Sequence, residues 1–246
     1  MKELKHYEII KTDDGSLTYY SKAYQESCHS HSGAVKETNL HYVKGCNIDL
    51  KIQQQQMVNV LEVGFGTGIG FLETAKLFKN SNIQLFFYSF EIDKELIEVF
   101  KENYSVPLNQ QRNSYTYNNK NINLVIVLGN ARETIKELTL KFHAIYQDAF
   151  SPKRNAILWT TEWFKDLKSI ASDDCIMSTY SSSSSIRKSM LSAGWKLQPG
   201  EQFGKKRTST RAFLHGESDH EIIERVNRSP VMEITDKNYQ EYTLGN

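Results

Sequence analysis

The sequence of 246 residues has few cysteines, no excess of either charge sign and no long apolar run. Its three cysteines are odd in number and widely spaced, which argues against a disulfide framework and fits reduced thiols in the cytosol. No apolar run approaches the roughly 20 residues of a membrane-spanning helix, and the N-terminal decapeptide lacks the apolar segment of a signal peptide. The sequence therefore predicts a cytoplasmic protein that does not enter the membrane.

The charges are nearly balanced, with 30 basic and 29 acidic residues and a formal net charge of +1. Overall charge therefore gives no indication of a nucleic-acid partner, which would require a local basic patch. Apolar residues make up 39% and charged residues 24%, which is typical of a globular chain. The length fits one α/β domain with some additions.

The first 57 residues differ in pattern from the rest and are interpreted as an N-terminal extension. Two β-type segments, 7–11 and 17–21, flank an Asp14-Gly15 step, which is a strong hairpin signal. We expect the polar, histidine-rich segment that follows to form a loop on the substrate side. Residues 58–216 are predicted to form the main domain and residues 217–246 a C-terminal tail.

Strand and helix patterns alternate through the main domain. This alternation predicts a mostly parallel sheet covered by helices on both faces. The last two strand segments lie close together in sequence and predict an antiparallel edge. The predicted strands are 58–63, 84–90, 122–128, 141–147, 175–179, 195–198 and 211–214.

A glycine-rich turn joins the first of these strands to the helix that follows. Residues 62–68 read E-x-G-x-G-x-G, and glycine lets the backbone turn sharply and approach a ligand closely. The acid at the strand end and the departure from G-x-G-x-x-G spacing favour S-adenosylmethionine over a dinucleotide, although the motif alone leaves both open. The residues expected to bind this cofactor are Glu62, Gly64, Phe65, Gly66, Thr67, Gly68, Glu91, Asn130 and Ala131.

Two polar residues at neighbouring strand ends support an adenosine ligand. Glu91 ends the second strand, where a carboxylate can accept hydrogen bonds from both ribose hydroxyls, as in NAD-binding folds. Alternatively it is a surface acid that caps the next helix, a role for which Asp93 is better placed. Asn130 follows the third strand, where methyltransferases commonly contact adenine. It also suits a helix N-cap, and the two roles are compatible.

Asp148 follows the fourth strand, where methyltransferases that act on amines often carry an acidic motif. A primary amine is mostly protonated at neutral pH, and a carboxylate here can accept its proton or orient its lone pair. The alternative is a carboxylate satisfied by the next turn. Phe150 and Tyr180 are candidates to stack on a flat base, and each fits an ordinary core position equally well.

The segment from Asp148 onwards resembles the MnmC methyltransferase family, whose pattern there is D-x-F-x-P-x-x-N-P-x-x-W-x-x-x-x-F. Residues 148–164 carry the matching Asp, Phe, Pro, Asn, Trp and Phe, and residues 203–207 resemble the family's G-F-G-R-K-R segment. The G-F-G-T-G turn, the S-F-E of the second strand and a G-x-x-E element around Glu37 also match. The resemblance covers roughly residues 15–215.

The resemblance implies a Rossmann-like class I S-adenosylmethionine-dependent methyltransferase with a seven-stranded sheet and Asp148 as its catalytic residue. It implies methylation of the 5-aminomethyl group of wobble uridine 34, in the anticodon region of tRNA, to give 5-methylaminomethyl-(2-thio)uridine. The length of the chain leads us to expect no FAD-dependent oxidase domain of the kind found in the bifunctional members, so a separate enzyme is expected to supply the aminomethyl substrate. The implied substrate-binding residues are Glu37, Phe150, Pro152, Tyr180, Lys205, Lys206 and Arg207.

Several features leave alternatives open. The basic cluster at residues 205–207 suits tRNA phosphates, or it is a solvated loop. Asn155-Ala156 replaces the family's Asn-Pro, and Asn130 stands where an acid is frequent. Cysteines and histidines within residues 28–46 have zinc-binding chemistry without a standard spacing, so no metal site is predicted. The rival functions are a small-molecule amine methyltransferase, a non-catalytic tRNA-binding protein and, on the glycine motif alone, a dehydrogenase.

Overall fold

A computed structural model describes residues 4–203 and 208–243. The described chain begins with a small antiparallel sheet, whose strands lie in the order of the sequence: β1 (Tyr7–Lys11), β2 (Leu17–Ser21) and β3 (Glu26–Ser27). The predicted hairpin at Asp14-Gly15 is confirmed, because β1 and β2 pair antiparallel around that turn. β3 extends the hairpin by one short strand, which leads the chain towards the main domain.

The centre of the molecule is a second, larger sheet. Within the described residues its strands are β4 (Met57–Val63), β5 (Gln84–Glu91), β6 (Asn109–Gln111), β7 (Ser114–Asn119), β8 (Ile122–Leu128), β9 (Phe142–Gln147), β10 (Ala171–Thr179), β11 (Lys196–Pro199) and β12 (Thr210–Phe213).

These strands lie side by side in the order β11-β12-β10-β9-β4-β5-β8-β7-β6. The five central strands pair in parallel, whereas both edges are antiparallel. From β4 the chain first builds outwards through β5 and β8, and then returns to the other side of β4 as β9. The order therefore reverses between β4 and β9, which is where open α/β sheets bind their ligands.

Helices pack against this sheet and connect its parallel strands. The described α-helices are α1 (Ala34–Thr38), α2 (Ile48–Gln54), α3 (Ile69–Phe78), α4 (Lys94–Tyr104), α5 (Ala131–Thr134), α6 (Pro152–Asn155), α7 (Thr161–Ser169), α8 (Ser184–Ser192), α9 (His220–Arg228) and α10 (Tyr239–Tyr242). A π-helical turn (Asn39–Lys44) continues α1, and 3₁₀ turns cover Ile135–Glu137 and Ala156–Trp159.

The apolar core lies on both faces of the large sheet. Successive residues of a strand point to opposite faces, and β4 accordingly sends Val60 into one apolar cluster and Leu61 into the other. The Val60 cluster includes Phe100 of α4, and the Leu61 cluster includes Trp163 of α7. Burial on both faces explains why the central strands read as nearly continuous apolar runs.

The predicted fold class is confirmed, including the antiparallel edge formed by the last two strands. The sheet is wider than the seven strands expected, because β6 and β7 form an additional hairpin beside β8. β6 is polar and exposed along its whole length, whereas β7 packs Tyr115 and Tyr117 against the core. The two tyrosines alternate with polar residues as in a half-buried strand, but the sequence prediction did not include this strand.

The segment predicted as a C-terminal tail contributes to the core. Ile222 and Val226 of α9 are spaced four residues apart, lie on one face of the helix and join the cluster around Trp163. Ile234 is fully buried, and its backbone N–H donates to Ser189 Oγ at 2.9 Å. These three buried apolar residues thus help to fix this part of the chain to the main domain.

We expect Ile234→Ala to lower the free energy of unfolding by about 2–5 kcal/mol, because it removes a fully buried branched side chain and leaves a cavity. Denaturant unfolding of the purified protein measures the effect. Met232→Ala is the matched control, since Met232 is 68% exposed and its replacement should change stability by no more than about 0.5 kcal/mol. Equal effects of the two substitutions would contradict a structural role for this segment.

Candidate active site

A cavity of about 520 Å³ opens at the carboxyl ends of the parallel strands, across the point where strand order reverses. Its floor consists of the segments that follow β4, β5, β8, β9 and β10. Residues 24, 26–30 and 37 form the opposite wall, so the N-terminal extension closes the cavity over the main domain. The extension therefore lines the cavity, and its expected place on the substrate side stays a prediction.

The glycine-rich turn after β4 packs its backbone against the backbone of the segment that follows β9. Gly64 has a φ of +94°, and a Cβ at this position would lie 2.9 Å from the carbonyl oxygen of Asp148. Any side chain at Gly64 would therefore strain the turn and displace the segment that carries Asp148. Gly66 also has a positive φ, of +54°, but faces open space. The turn thus places the end of β4 directly beside the end of β9.

Two members of this turn lie away from the cavity. Gly68 is the N-cap of α3, where a Cβ would collide with the rings of Phe65 and Phe100. Thr67 is 2% exposed and, like Gly68, does not line the cavity. Phe65 does line it. Thr67 and Gly68 therefore belong to the turn itself. Their predicted contact with the cofactor stays a prediction, because neither residue lines the cavity.

Glu62 is buried at the floor of the cavity. Its carboxylate accepts a hydrogen bond from Ser89 Oγ at 3.0 Å and lies so close to Gly70 that a Cβ there would overlap it. Burial and the nearby Asp148 raise the pKa of Glu62 well above its usual range. Gly70 lies outside the motif considered in the sequence, yet its missing side chain makes the space for this carboxylate.

Glu91 organises the turn from the neighbouring strand. Its two carboxylate oxygens accept backbone N–H bonds from Gly66, Ile92 and Asp93, each at 2.8 Å. Burial nevertheless raises the pKa of Glu91 to about 7. The helix cap is made by Asp93, whose carboxylate accepts from the N–H of Glu95 at 2.9 Å. Glu91 is therefore not the cap, and its carboxylate lies in the cavity wall.

Asn130 performs the capping role that the sequence left open. Its side-chain oxygen accepts from the backbone N–H of Arg132 at 3.0 Å, at the start of α5. Asn130 and Ala131 both line the cavity as well. Capping and contact with a ligand are thus geometrically compatible at this position.

Asp148 is held by a residue that sequence reasoning did not identify. The hydroxyl of Tyr42 donates to Asp148 Oδ1 at 2.5 Å. Tyr42 lies in the π-helical turn, and such turns are often found at functional sites. The two residues are 106 positions apart, so no local pattern in the sequence could indicate this pair.

Aromatic rings form one side of the cavity. Phe150 stacks on Tyr24 of the N-terminal extension, with ring centroids 4.5 Å apart. The hydroxyl of Tyr180 donates to the carbonyl oxygen of Ala149 at 2.9 Å, so Tyr180 also fixes the segment after Asp148. Phe150 and Tyr180 both line the cavity. Pro152, a predicted substrate-binding residue, begins α6 and does not line the cavity.

Acidic residues supply the charged side chains among the described residues that line the cavity. Glu37 accepts from the N–H of Ser30 at 2.6 Å, and Glu26 accepts from Ser151 Oγ at 2.8 Å. Among the described lining residues there is no lysine or arginine, and burial lowers the pKa of His29 to about 4. The acidic side chains that line the cavity are Glu26, Glu37, Glu62, Glu91 and Asp148.

The predicted basic cluster at Lys205, Lys206 and Arg207 lies outside the described residues. In the described chain, Lys153 and Arg154 of α6 lie between Phe150 and Asn155, which both line the cavity. No group of three or more metal-ligating side chains occurs within residues 4–203 and 208–243. None of the helices in these ranges is long and apolar enough to span a membrane.

The strand order and the glycine-rich turn at its reversal point define a Rossmann-like α/β enzyme of the methyltransferase class. The family model described as S-adenosyl-L-methionine-dependent methyltransferase matches residues 91–215. The chain belongs to this family, and its cofactor is S-adenosylmethionine.

Similar proteins include two bifunctional proteins named MnmC for tRNA 5-methylaminomethyl-2-thiouridine biosynthesis. The protein from Paraburkholderia phymatum is 30% identical over 77% of this chain and 32% of its own length. The protein from Campylobacter hominis is 30% identical over 72% of this chain and 28% of its own length. The chain thus spans about a third of the length of these curated relatives.

A solved structure, that of MnmC2 from Aquifex aeolicus, resembles nearly the whole chain. It superposes with a TM-score of 0.82 at 29% identity, covering 96% of this chain and 81% of the other. The similarity therefore includes the N-terminal extension as well as the main domain.

The lining residues fit the cofactor chemically. S-adenosylmethionine carries a sulfonium and an ammonium group beside one carboxylate, and the described lining residues include five acidic side chains and no lysine or arginine. The backbone at Gly66 borders open space, so a ligand can approach it closely. Ile92 is 62% exposed beside Glu91 and offers an apolar surface to a flat ring.

Proposed function

We propose that this chain methylates a primary amine, the 5-aminomethyl group of wobble uridine 34 in tRNA. The position of Asp148 carries the proposal. Asp148 follows the parallel strand β9 and contacts the glycine-rich turn through its backbone, so its carboxylate borders the cavity where the cofactor's reactive end is expected. The names of the MnmC relatives, which refer to tRNA 5-methylaminomethyl-2-thiouridine biosynthesis, support an acceptor in tRNA.

The chemistry follows from the charges of the cavity. Bound S-adenosylmethionine supplies an electrophilic methyl group. The acidic wall attracts an aminomethyl cation. Asp148 accepts a proton from it, which frees the nitrogen lone pair, or accepts a hydrogen bond from the neutral amine and so orients its lone pair. Attack of this nitrogen on the methyl group would form the N–C bond with loss of the thioether S-adenosylhomocysteine, and the product would leave as a secondary ammonium ion. Closure by the N-terminal extension reduces access of water to the reacting groups.

A tRNA substrate also requires contacts outside the cavity. Uridine 34 must leave its stack to reach Asp148, as in other base-modifying enzymes. Lys153 and Arg154, beside the lining residue Asn155, are candidates to bind the phosphates that flank the extruded nucleotide. The cluster at residues 205–207 stays a further candidate for this role. A cytoplasmic location and a separate source of the aminomethyl group are part of this proposal.

The decisive experiment measures transfer of labelled methyl from S-adenosylmethionine to tRNA, followed by nucleoside analysis. The tRNA should come from cells that lack this enzyme, so that aminomethyluridine accumulates. Label in 5-methylaminomethyluridine supports the proposal. Transfer to small amines in the absence of tRNA favours the small-molecule alternative. Binding of tRNA without any transfer favours the non-catalytic alternative.

We also propose that the Glu91 carboxylate binds the ribose hydroxyls of the cofactor. Since burial raises the pKa of Glu91 to about 7, the carboxylate is ionised above this pH and loses acceptor capacity when protonated below it. Affinity for an adenosine ligand should therefore fall about tenfold from pH 8 to pH 6. Calorimetric titration with 5′-methylthioadenosine measures this, because that ligand has no group that titrates in the range. A flat profile would contradict the assignment.

A further inference from the structure

Tyr42 stands out because it contacts Asp148 from an element that carries no motif. Its hydroxyl donates to Asp148 Oδ1 at 2.5 Å, which is short for a hydrogen bond to oxygen. The side chain is buried, and its ring lies 5.4 Å from the ring of Tyr146 on β9. The contact is therefore enclosed by protein and leaves the tyrosine few alternative orientations.

We propose that Tyr42 is the positioning residue for Asp148: it fixes Oδ1 of the carboxylate and stabilises the ionised form that faces the acceptor amine. The part played in methyl transfer rests on the proposed function. The effect on Asp148 itself is a property of the folded protein and can be tested without any substrate.

The π-helical turn that carries Tyr42 is anchored to the strands of the large sheet. Ser178 Oγ on β10 donates to the carbonyl oxygen of His41, beside Tyr42. Arg211 Nε on β12 donates to the carbonyl oxygen of Gly45 at 2.7 Å. The thiol of Cys46 donates to the carbonyl oxygen of Ile176 at 3.2 Å. Tyr42 is thus held against the same sheet that positions Asp148, so the distance between them is set by the fold.

The described surroundings of Asp148 favour such a donor. Titratable groups close to it include Glu62 from β4, Cys28 after β3 and Tyr180 after β10. The carboxyl groups of Glu62 and Asp148 disfavour ionisation of one another. Burial and the nearby Asp148 raise the pKa of Tyr42 well above its usual range, so it remains a protonated donor.

The test is a pH titration of Asp148 by NMR in protein labelled with ¹³C at aspartate carboxyl groups. Asp148→Asn identifies the resonance by its loss. In Tyr42→Phe the titration midpoint of Asp148 should rise by about one pH unit, a roughly tenfold gain in proton affinity, because the charged form loses its donor. Incorporation of 3-fluorotyrosine at position 42, a stronger donor of nearly the same shape, should lower the midpoint.

Tyr146→Phe is the matched control. Tyr146 is equally buried, packs on Tyr42 and loses one hydrogen bond, to Thr74, when its hydroxyl is removed. The midpoint of Asp148 should not change in this variant. An unchanged midpoint in Tyr42→Phe, or an equal rise in both variants, overturns the proposal. The fluorotyrosine protein keeps the test decisive if Tyr42→Phe does not fold.

The same variants separate this proposal from the proposed function. If the chain methylates tRNA, the acidic limb of the kcat/KM profile should move with the NMR midpoint in Tyr42→Phe and stay in place in Tyr146→Phe. Absence of methyl transfer by the unmodified protein would remove the proposed acceptor. The NMR midpoints would still decide the role of Tyr42.

Discussion

Replacement of Asp148 by asparagine should lower kcat for methyl transfer to tRNA by about 10²–10⁴-fold, which is the usual contribution of a group that handles a reacting proton. Asparagine has nearly the same shape and can still accept the hydrogen bond from Tyr42, but it cannot accept a proton. Binding of S-adenosylhomocysteine should change little. Initial rates with labelled S-adenosylmethionine, together with calorimetric titration of S-adenosylhomocysteine, measure the two effects separately.

Asp173→Asn is the control for this substitution. The Asp173 side chain is 100% exposed, and its contact with His215 spans 3.5 Å at the surface. The same chemical change there should leave kcat unaltered. Wild-type activity in Asp148→Asn would exclude proton transfer to this carboxylate. Loss of cofactor binding in that variant would indicate a role in holding the cofactor instead.

Glu91→Gln is expected to weaken S-adenosylhomocysteine binding by about 10–100-fold, equivalent to about 1.4–2.8 kcal/mol. The carboxylate accepts three backbone N–H bonds, and the glutamine amide would turn an NH₂ group towards at least one of these donors. A buried N–H that loses its acceptor costs about 1–3 kcal/mol. The turn at Gly66 should then shift, and the ribose of the cofactor should lose its hydrogen-bond acceptor.

Glu98→Gln on α4, the helix that follows Glu91, provides the comparison, because Glu98 is partly exposed and its ion pair with Lys101 is long, at 4.0 Å. The Glu98→Gln protein should bind S-adenosylhomocysteine with the same dissociation constant as the unmodified protein. If Glu91→Gln changes the dissociation constant of S-adenosylhomocysteine by less than twofold, the three hydrogen bonds from backbone N–H groups to Glu91 serve the fold alone.

The sequence predicted those parts of the molecule whose signals are local. The alternation of strands and helices indicated the sheet, and the Asp14-Gly15 step indicated the hairpin. The placement of polar residues at strand ends brought Glu91 and Asp148 to one cavity, since the carboxyl ends of parallel strands meet at the same edge.

The features that the sequence did not predict depend on distant contacts. Tyr42 meets Asp148 across 106 positions, and Tyr24 reaches Phe150 from the small sheet. Nothing in the pattern around either tyrosine distinguishes it from an ordinary core residue. Gly70 could have been noticed as a further glycine after the motif, but its role depends on where the Glu62 carboxylate points.

The two edges of the large sheet also determine how the molecule meets other copies of itself. An edge strand exposes unpaired backbone groups to which a strand of another chain can add. At one edge, β6 is three residues long and presents only asparagine and glutamine. At the other, β11 carries the exposed Lys196 and ends at Pro199, whose nitrogen cannot donate. Both edges of the large sheet are therefore poor templates for strand addition by another chain.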